Sequence, residues 1–320
     1  MTATAPGAGC PGNDTRPIAR HPIKEHAMTT AAHRLLAALL LLGGLLAAPS
    51  PAKAAETYNT CAGFIDSVPA TISKQGVWCL RKNLTTNVTL GYAITIATNN
   101  VTIDCNGFKI GGLAAGNGAV TAGVYADNRQ NATVRNCNIR GFYSGIHLEG
   151  DDGAGHLVED NRLDNNLYCG IFVEGDNNLI RRNRIYDTGG ATGKTLSFGI
   201  DAYADIIDNT VSGLFIDRTG YLFGVFASGA GANIRDNKIS GFDMTTGQGG
   251  SVTFAAGITL AGNRQRAAGN QVVGGDVGSN ISGFGIDAGS DSYCRGNDVG
   301  GFAGNNIRNC GNISDNLIGP

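Results

Sequence analysis

The stretch Ile180-Arg181-Arg182-Asn183-Arg184-Ile185 contains a motif that returns along most of the chain: an aliphatic residue, an asparagine three positions later, and another aliphatic residue. Clear copies lie at Val158–Leu163, Ile206–Val211 and Ile234–Ile239, and weaker copies centre on Asn106, Asn270, Asn297 and Asn316. Cys137 takes the asparagine position in one further copy. Successive centres lie 31, 24, 22, 26, 28, 33, 27 and 19 residues apart. Such a repeat is typical of a solenoid, in which each repeat stacks on the next.

A second motif, a glycine followed by Ile or Val, lies between the asparagine motifs. Its copies begin at Gly123, Gly145, Gly170, Gly199, Gly224, Gly257 and Gly285. The two motifs together predict two short strands per repeat, and no segment shows apolar residues at helical spacing. Short parallel strands joined by turns fit an all-β fold, a right-handed parallel β-helix of about eight coils spaced about 4.8 Å apart.

Stacking of the coils is expected to place equivalent side chains directly above one another. Ile180, Ile206 and Ile234 should then form an inner apolar column. Asparagine tolerates left-handed backbone angles, so the asparagines of the motif are expected in turns, each bonding to amides of the neighbouring coils. The four residues of this predicted ladder are Asn161, Asn183, Asn209 and Asn237.

The first 54 residues are expected to lie outside the folded protein. Leu35–Ala48 is an uncharged run of 14 residues, preceded by His33-Arg34 and followed by Ala52-Lys53-Ala54, which is typical of a signal peptide. The run is shorter than the roughly 20 residues that cross a bilayer, so no membrane span is expected. We divide the chain into an N-terminal extension with signal peptide (1–54), an N-terminal cap segment (55–100) and the β-helix (101–320), and predict a secreted or periplasmic protein.

The composition of residues 55–320 excludes several classes of function. They carry 19 Lys and Arg against 24 Asp and Glu, a net charge of −5, which argues against a nucleic-acid partner. Only His147 and His156 remain there, which argues against a histidine-rich zinc or copper site. Seven cysteines remain; we expect disulfides Cys61–Cys79 and Cys294–Cys310 and at least one unpaired thiol.

The asparagine repeats, together with Asn100-Val101-Thr102-Ile103-Asp104-Cys105-Asn106-Gly107, resemble the pectin-lyase-like superfamily of right-handed parallel β-helices. The resemblance covers roughly residues 60–320. That superfamily contains polysaccharide lyases, hydrolases, epimerases and phage tailspikes, so the resemblance implies a protein that acts on or binds polysaccharide. The chain lacks the paired-aspartate and Gly-His-Gly signatures of polygalacturonases and the usual catalytic motifs of pectate lyases and alginate epimerases. No catalytic residue is therefore carried over.

Strand alternation points the third and fifth residues of the glycine motif outward, so that two columns run up one face. The third positions are Tyr125, His147, Phe172, Asp201, Phe226, Thr259 and Asp287. The fifth positions are Asp127, Glu149, Glu174, Tyr203, Ser228, Ala261 and Gly289. Carboxylates about 5 Å apart repel one another and need a cation, a basic partner or a raised pKa. We predict a catalytic site built from Asp127, His147, Glu149, Glu174 and Asp201, with sugar-binding surfaces on Tyr125, Phe172 and Tyr203.

Loop lengths suggest a wall beside this acidic face. The connections between the motifs lengthen from Ile139–Gly145 and Leu163–Gly170 to Ile185–Gly199, Val211–Gly224 and Ile239–Gly257. We predict that Lys194, Arg218 and Tyr221 in this wall contact the substrate. In lyase or epimerase chemistry, Arg218, Lys194, His147 and Tyr203 are the candidates to remove a proton next to a uronate carboxylate. Asp151 and Asp176, in the turns that follow, are weaker candidates to hold Ca²⁺.

Two functions remain open from the sequence. The first is an exported enzyme that acts on polysaccharide as a uronate lyase, an epimerase or a hydrolase. The second is a β-helix without catalytic activity that binds glycans or serves as a surface or envelope component, with the acidic column as ordinary solvent-facing surface. In both cases the expected partner is a polysaccharide or cell-surface glycan, and the expected oligomeric state is a monomer.

Overall fold

The computed structural model describes residues 58–150, 153–216, 219–243, 252–274 and 282–319. The predicted signal peptide, Asp151 and Arg218 lie outside these ranges. The described residues form 29 strands and two short 3₁₀-helices, Tyr58–Thr60 and Leu113–Ala115. Within these ranges, no helix is long and apolar enough to span a membrane.

The strands are short and follow one another along the whole described chain. The first eleven are β1 (Gly63–Phe64), β2 (Ala70–Ile72), β3 (Gly76–Cys79), β4 (Leu84–Thr85), β5 (Leu90–Ile96), β6 (Val101–Asp104), β7 (Lys109–Gly111), β8 (Val120–Asp127), β9 (Thr133–Arg135), β10 (Asn138–Arg140) and β11 (Ser144–Glu149). The next nine are β12 (Leu157–Glu159), β13 (Arg162–Asp164), β14 (Cys169–Arg181), β15 (Arg184–Tyr186), β16 (Leu196–Ile207), β17 (Thr210–Leu214), β18 (Gly220–Ala227), β19 (Asn233–Arg235) and β20 (Lys238–Phe242). The last nine are β21 (Val252–Leu260), β22 (Arg266–Ala268), β23 (Gln271–Val273), β24 (Ser282–Asp287), β25 (Tyr293–Arg295), β26 (Asp298–Gly300), β27 (Ile307–Arg308), β28 (Asn312–Ser314) and β29 (Leu317–Ile318).

All pairing between these strands is parallel, and it builds three arrays that we call stacks 1, 2 and 3. Stack 1 contains β2, β5, β8, β11, β18, β21, β24 and β27 and the first parts of β14 and β16, and most of these strands carry the glycine motif. Stack 2 contains β1, β3, β6, β9, β12, β19, β22, β25 and β28 and the last parts of β14 and β16. Stack 3 is the ten-stranded sheet from β4 to β29.

The right-handed parallel β-helix of about eight coils is confirmed, but the number of strands per coil was predicted incorrectly. Each full coil contributes three strands rather than two, because the asparagine motif contains a turn. In the copy around Asn161, β12 ends at Glu159 in stack 2 and β13 begins at Arg162 in stack 3. The motif therefore marks a corner of the coil.

The interior consists of apolar columns that come from all three stacks. In stack 2, Ile180, Ile206 and Ile234 are register partners and are fully buried, which confirms the predicted inner column. Ile146, Ile171 and Ile200 form the matching column in stack 1. Burial of one aliphatic side chain contributes about 1.5–3 kcal/mol, so these columns drive closure of the coil.

Glycine begins the stack 1 motif because neighbouring coils approach closely there. A Cβ added at Gly199 would lie 2.4 Å from Val211 Cγ1 and 2.5 Å from the carbonyl oxygen of Gly224. Both distances are far below van der Waals contact. A larger residue would therefore push apart the corner between stacks 3 and 1.

The asparagines of the motif form a continuous ladder at the corner between stacks 2 and 3. Asn183 Nδ2 donates to Asn209 Oδ1 at 3.0 Å, and Asn209 Nδ2 donates to Asn237 Oδ1 at 3.1 Å. The backbone N–H groups of Asn183 and Asn209 donate to the same two oxygens, each at 2.9 Å. The predicted ladder is confirmed, and it extends from the N–H of Cys137 to Asn316.

The left-handed residue of these turns is the one before the asparagine. Asp160, Arg182, Asp208 and Asp236 have φ values of 55°, 55°, 56° and 59°. The prediction that the asparagine itself takes this conformation was wrong for these four copies. Its side chain points into the molecule, where the four asparagines are at most 2% exposed, and the exposed polar residue before it makes the turn.

Three disulfides cross-link the described residues. Cys61–Cys79 and Cys294–Cys310 confirm the two predicted pairs. Cys105–Cys137 was not predicted, because its cysteines are 32 residues apart and only the register of the coils brings their Cα atoms to 4.7 Å. Cys169 is free and buried, as the odd number of cysteines required.

Buried His156 gives the fold a titratable interior group. Its side chain is 2% exposed, and Nδ1 accepts a hydrogen bond from the N–H of Ala132 at 3.2 Å. Burial lowers the pKa of His156 from 6.5 to about 4. The unfolded chain therefore binds a proton near pH 6.5 that the folded chain binds only near pH 4. We expect this group to reduce stability as the pH falls from 6.5 to 4.

Denaturant unfolding of the wild type and of His156→Asn across this pH range tests the expectation. The amide oxygen of asparagine can still accept from Ala132, but the side chain does not titrate. The wild type should lose stability relative to the variant as the pH falls. The difference between the free energies of unfolding of the two proteins removes the contribution of carboxyl groups. If this difference stays constant with pH, His156 does not titrate as assigned.

Candidate functional site

The outward face of stack 1 has the register that the glycine motif predicts. The first outward column places five residues beside one another in successive coils: Tyr125, His147, Phe172, Asp201 and Phe226. In the second column, Asp127 and Glu149 are register partners. Glu174 follows in the next coil, where its Oε2 accepts from the N–H of Gly150 at 3.3 Å.

One carboxylate on this face is held by two side chains. The Tyr125 hydroxyl donates to Glu149 Oε1 at 2.5 Å, and His147 Nε2 lies 2.7 Å from Glu149 Oε2. His147 is on the same strand as Glu149, and Tyr125 is on the strand of the preceding coil. We call these three residues the Tyr125–His147–Glu149 cluster.

The protonation states of the cluster follow from these contacts. Burial raises the pKa of the Glu149 carboxyl, but hydrogen bonds from Tyr125 and His147 outweigh burial, and the pKa lies below its ordinary value. Burial and the hydrogen bond to Glu149 raise the pKa of the Tyr125 hydroxyl. At neutral pH, Glu149 is ionised and Tyr125 carries its proton. Because a carboxylate only accepts, His147 Nε2 carries a proton that points at Glu149.

A cavity of about 380 Å³ opens beside the cluster. Aromatic rings line it: Tyr92 stacks on Tyr125 with ring centroids 3.6 Å apart, and Tyr143 is a further lining residue. Ser144 and the backbone of Gly91 complete part of the lining. A lining that combines aromatic rings with polar side chains suits a sugar ring, which has apolar faces and hydroxyl edges.

The predicted wall brings Lys194 close to Tyr143. Lys194 Nζ lies 5.5 Å from the centroid of Tyr143, a ring that lines the cavity. Two contacts hold its loop: Thr192 N–H donates to the carbonyl of Asn117 at 3.0 Å, and Ala191 is buried against an apolar group that includes Tyr143. The lysine is therefore a positive charge on a fixed loop.

The other predicted acids point elsewhere. Asp127 is exposed and accepts from Asn128 Nδ2 at 2.7 Å. Glu174 contacts the backbone at Gly150 rather than Glu149. Asp201 lies two coils from His147, and burial together with the charge of Glu174 raises its pKa to about 6. The five predicted catalytic residues thus form the Glu149–His147 pair, the Glu174–Asp201 pair and the solvated Asp127.

The predicted substrate-binding residues are distributed between three places. Phe172 packs on His147 with ring centroids 4.5 Å apart, next to the cluster. Tyr203 is 46% exposed and lines a second cavity of about 700 Å³, over the turn between stacks 1 and 2, together with Asp176. Tyr221 is 45% exposed and lies 6.1 Å from the ring of Phe254. Within the described ranges, no group of three or more His, Cys, Asp or Glu side chains is placed to hold a metal ion.

Sequence reasoning missed Tyr92 and Tyr143. Tyr92 lies on β5, in the segment Leu90-Gly91-Tyr92-Ala93-Ile94. In the glycine motif the glycine directly precedes the inward residue, but here it lies three residues before the inward Ile94. Tyr143 precedes the glycine motif of its coil, a position that the motif search did not include. The aromatic residues next to each glycine motif were the available signal.

The repeats agree with comparisons to known proteins. A family model described as "Right handed beta helix region" matches residues 80–299. The chain belongs to this family. The search of curated proteins found no match to this chain. Solved structures of other right-handed β-helix proteins are similar in fold at low sequence identity.

Three of those structures show how far the likeness extends. The A-module of the mannuronan C-5 epimerase AlgE6 of Azotobacter vinelandii is 13% identical, with a TM-score of 0.35, covering 82% of this chain and 92% of that one. The catalytic domain of a GH87 α-1,3-glucanase in complex with nigerose is 14% identical, with a TM-score of 0.40 and 80% and 60% coverage. The Dettilon tailspike protein is 16% identical, with a TM-score of 0.38 and 78% and 60% coverage. The chain thus spans about three fifths of the latter two, and the likeness concerns the fold alone.

Proposed function

We propose that this protein is exported and acts on a uronate-containing polysaccharide, which binds over stack 1 and reacts by proton transfer at the Tyr125–His147–Glu149 cluster. The observation that carries the proposal is the Glu149 carboxylate, which binds the Tyr125 hydroxyl at 2.5 Å and His147 Nε2 at 2.7 Å beside an open aromatic cavity. The three disulfides support export, because disulfides persist in oxidising compartments.

The cluster offers a base and an acid in fixed positions. Glu149 orients His147 through Nε2–H, so that the lone pair on Nδ1 can remove the proton from the carbon next to the uronate carboxylate. Tyr125 keeps its proton at neutral pH and can donate it in the same reaction. Donation to the glycosidic oxygen breaks the C4–O bond and leaves a C4=C5 double bond, whereas donation to the opposite face of C5 inverts that carbon.

Lys194 explains why the proposed substrate is a uronate rather than a neutral sugar. Removing a proton next to a carboxylate builds up negative charge on that carboxylate, and a positive group beside it stabilises the charge. Lys194 lies on a fixed loop over Tyr143, a ring that lines the cavity. A neutral glycan has no charge to place there.

A second candidate, glycoside hydrolysis, has one observation in its favour. A hydrolase needs a carboxylic acid that stays protonated near neutral pH, and the pKa of Asp201 is raised to about 6 by burial and by the charge of Glu174. The lowered pKa of Glu149 makes that residue unsuited to the same role. Hydrolysis would therefore use the Glu174–Asp201 pair, and a glycan-binding protein without catalysis would use neither pair.

The experiment is to incubate the purified exported protein with polygalacturonate, alginate and neutral glucans. We expect a uronate polymer to give either ultraviolet absorbance from unsaturated ends or inversion at C5 in proton NMR spectra. Reducing ends without unsaturation would favour hydrolysis, and binding without any product would favour the noncatalytic function. Failure to bind or change any uronate polymer would refute the proposal.

A further inference from the structure

The outward column of stack 2 changes character along the β-helix. In the N-terminal half, Asp104, Arg135, Glu159 and Arg181 are register partners in successive coils. Arg135 Nε donates to Asp104 Oδ2 at 2.8 Å, and Arg181 Nε donates to Glu159 Oε2 at 2.9 Å. Glu159 lies between two arginines and is only 8% exposed. Positive and negative side chains alternate here, and neighbouring coils neutralise each other.

In the C-terminal half, the same column has no acidic residue between its arginines. Ala268 is the register partner of Arg235 on one side and of Arg295 on the other, so it stands where Glu159 stands between Arg135 and Arg181. Arg235 pairs with Asp236 at 3.1 Å and Arg295 with Asp315 at 3.0 Å, but these four side chains are 49–75% exposed. Both ion pairs are therefore weak, and a carboxylate of a ligand can compete for the arginines.

A third arginine lies on this face without a carboxylate. Arg266 precedes Ala268 by two positions on β22, so both side chains point outward. Its guanidinium lies 5.6 Å from the ring centroid of Tyr293, and among the described residues no carboxylate is within 4.0 Å of it. The small side chain of Ala268 leaves a cavity of about 330 Å³, which Arg266, Tyr293, Arg295 and Asn312 line.

We propose that this cavity is a second glycan-binding site, in which a carboxylate of an acidic polysaccharide takes the place of the missing acid. Arg266 and Arg295 bind the carboxylate, and the exposed ring of Tyr293 supports the sugar. The choice of a uronate as ligand rests on the proposed function, but the site does not: it lies on stack 2, away from the cluster on stack 1. A long polymer bound here would be held to the protein independently of the reaction.

The sharpest test fills the cavity with the acid that the column lacks. Ala268→Glu places a carboxylate between Arg235, Arg266 and Arg295, as Glu159 lies between its arginines. Calorimetric titration with short oligogalacturonates is expected to show two classes of site in the wild type and one in Ala268→Glu. Affinity at the site between Arg266 and Arg295 should fall at least about tenfold in the variant, because charged hydrogen bonds of this kind are strong. Removing the arginines in Arg266→Ala/Arg295→Ala should give the same loss.

The matched control is Val273→Glu, which adds the same charge at a 43% exposed position of β23 in stack 3. It should keep both classes of site, and thermal unfolding checks that each variant folds. An unchanged titration for folded Ala268→Glu and for folded Arg266→Ala/Arg295→Ala overturns the proposal. Binding of dextran sulfate but not of oligogalacturonate at this site would overturn the assignment to a carboxylate. If the wild type shows no turnover but Ala268→Glu still loses one class of binding site, this result would contradict the proposed reaction and support the second site.

Discussion

Replacing Glu149 with glutamine is expected to lower turnover of a uronate polysaccharide by about 10²–10⁴-fold, the usual contribution of a positioned acid–base group. Both oxygens of Glu149 accept hydrogen bonds, one from Tyr125 and one from His147. The glutamine side chain has only one acceptor, so its amide N–H₂ must face one of the two donors. The variant loses the negative charge that orients the His147 ring, and one of the two partners must reorient to accept from the amide. Initial rates of product formation at saturating polymer measure the effect.

The control for this variant is Asp127→Asn. Asp127 is the register partner of Glu149 in the preceding coil, but it is exposed and accepts a hydrogen bond from its neighbour Asn128. Its rate should stay within about twofold of the wild type, as for an exposed residue outside a site. If both variants retain full turnover, the reaction does not use the cluster, and Asp201→Asn becomes the next variant to examine.

Asn209→Ala is expected to lower the free energy of unfolding by about 3–5 kcal/mol, through lost hydrogen bonds and a cavity. The side chain is 1% exposed, and its Oδ1 accepts from both the N–H and the Nδ2 of Asn183. Its Nδ2 donates to the carbonyl of Ile180 at 3.0 Å, one coil away. Alanine leaves these groups without partners in a place that water does not reach. Equilibrium unfolding in denaturant measures the loss.

Two comparisons separate the ladder from a general effect of removing asparagine. Asn312→Ala, at an exposed position on β28, should change the free energy of unfolding by less than about 0.5 kcal/mol. Asn316→Ala is at the end of the ladder and is only partly buried, so the loss should be about 1 kcal/mol. Equal losses at Asn209 and Asn312 would show that the ladder does not stabilise the fold.

Register could be predicted from the sequence because it depends on apolar side chains that recur. Once Ile180, Ile206 and Ile234 are aligned, every residue between two copies takes a defined place, and Tyr125, His147 and Phe172 fall in one column. The number of strands could not be predicted in this way. The turn in the asparagine motif depends on a left-handed residue before the asparagine, which is aspartate in three of the four clear copies but Arg182 in the fourth, so residue type marks it incompletely.

The direction in which outward side chains turn could not be predicted either. Asp127 and Glu149 occupy equivalent positions, yet only Glu149 has a hydroxyl and an imidazole within reach. Those contacts depend on rotamers and on what the adjacent coil offers. Lys194 reaches Tyr143 because its loop folds back to Asn117, a contact between residues far apart in the chain that no repeat encodes.

The positions of the disulfides bear on how the molecule comes apart. In a solenoid, an inner coil is held by two neighbours but a terminal coil by one, so unfolding starts as fraying from the termini. Cys61–Cys79 clips the first described coil, Cys105–Cys137 ties the next ones together, and Cys294–Cys310 clips the last. The disulfides thus lie in the coils where fraying would begin. The coils between Cys137 and Cys294 have no disulfide and depend on packing against their neighbours on either side.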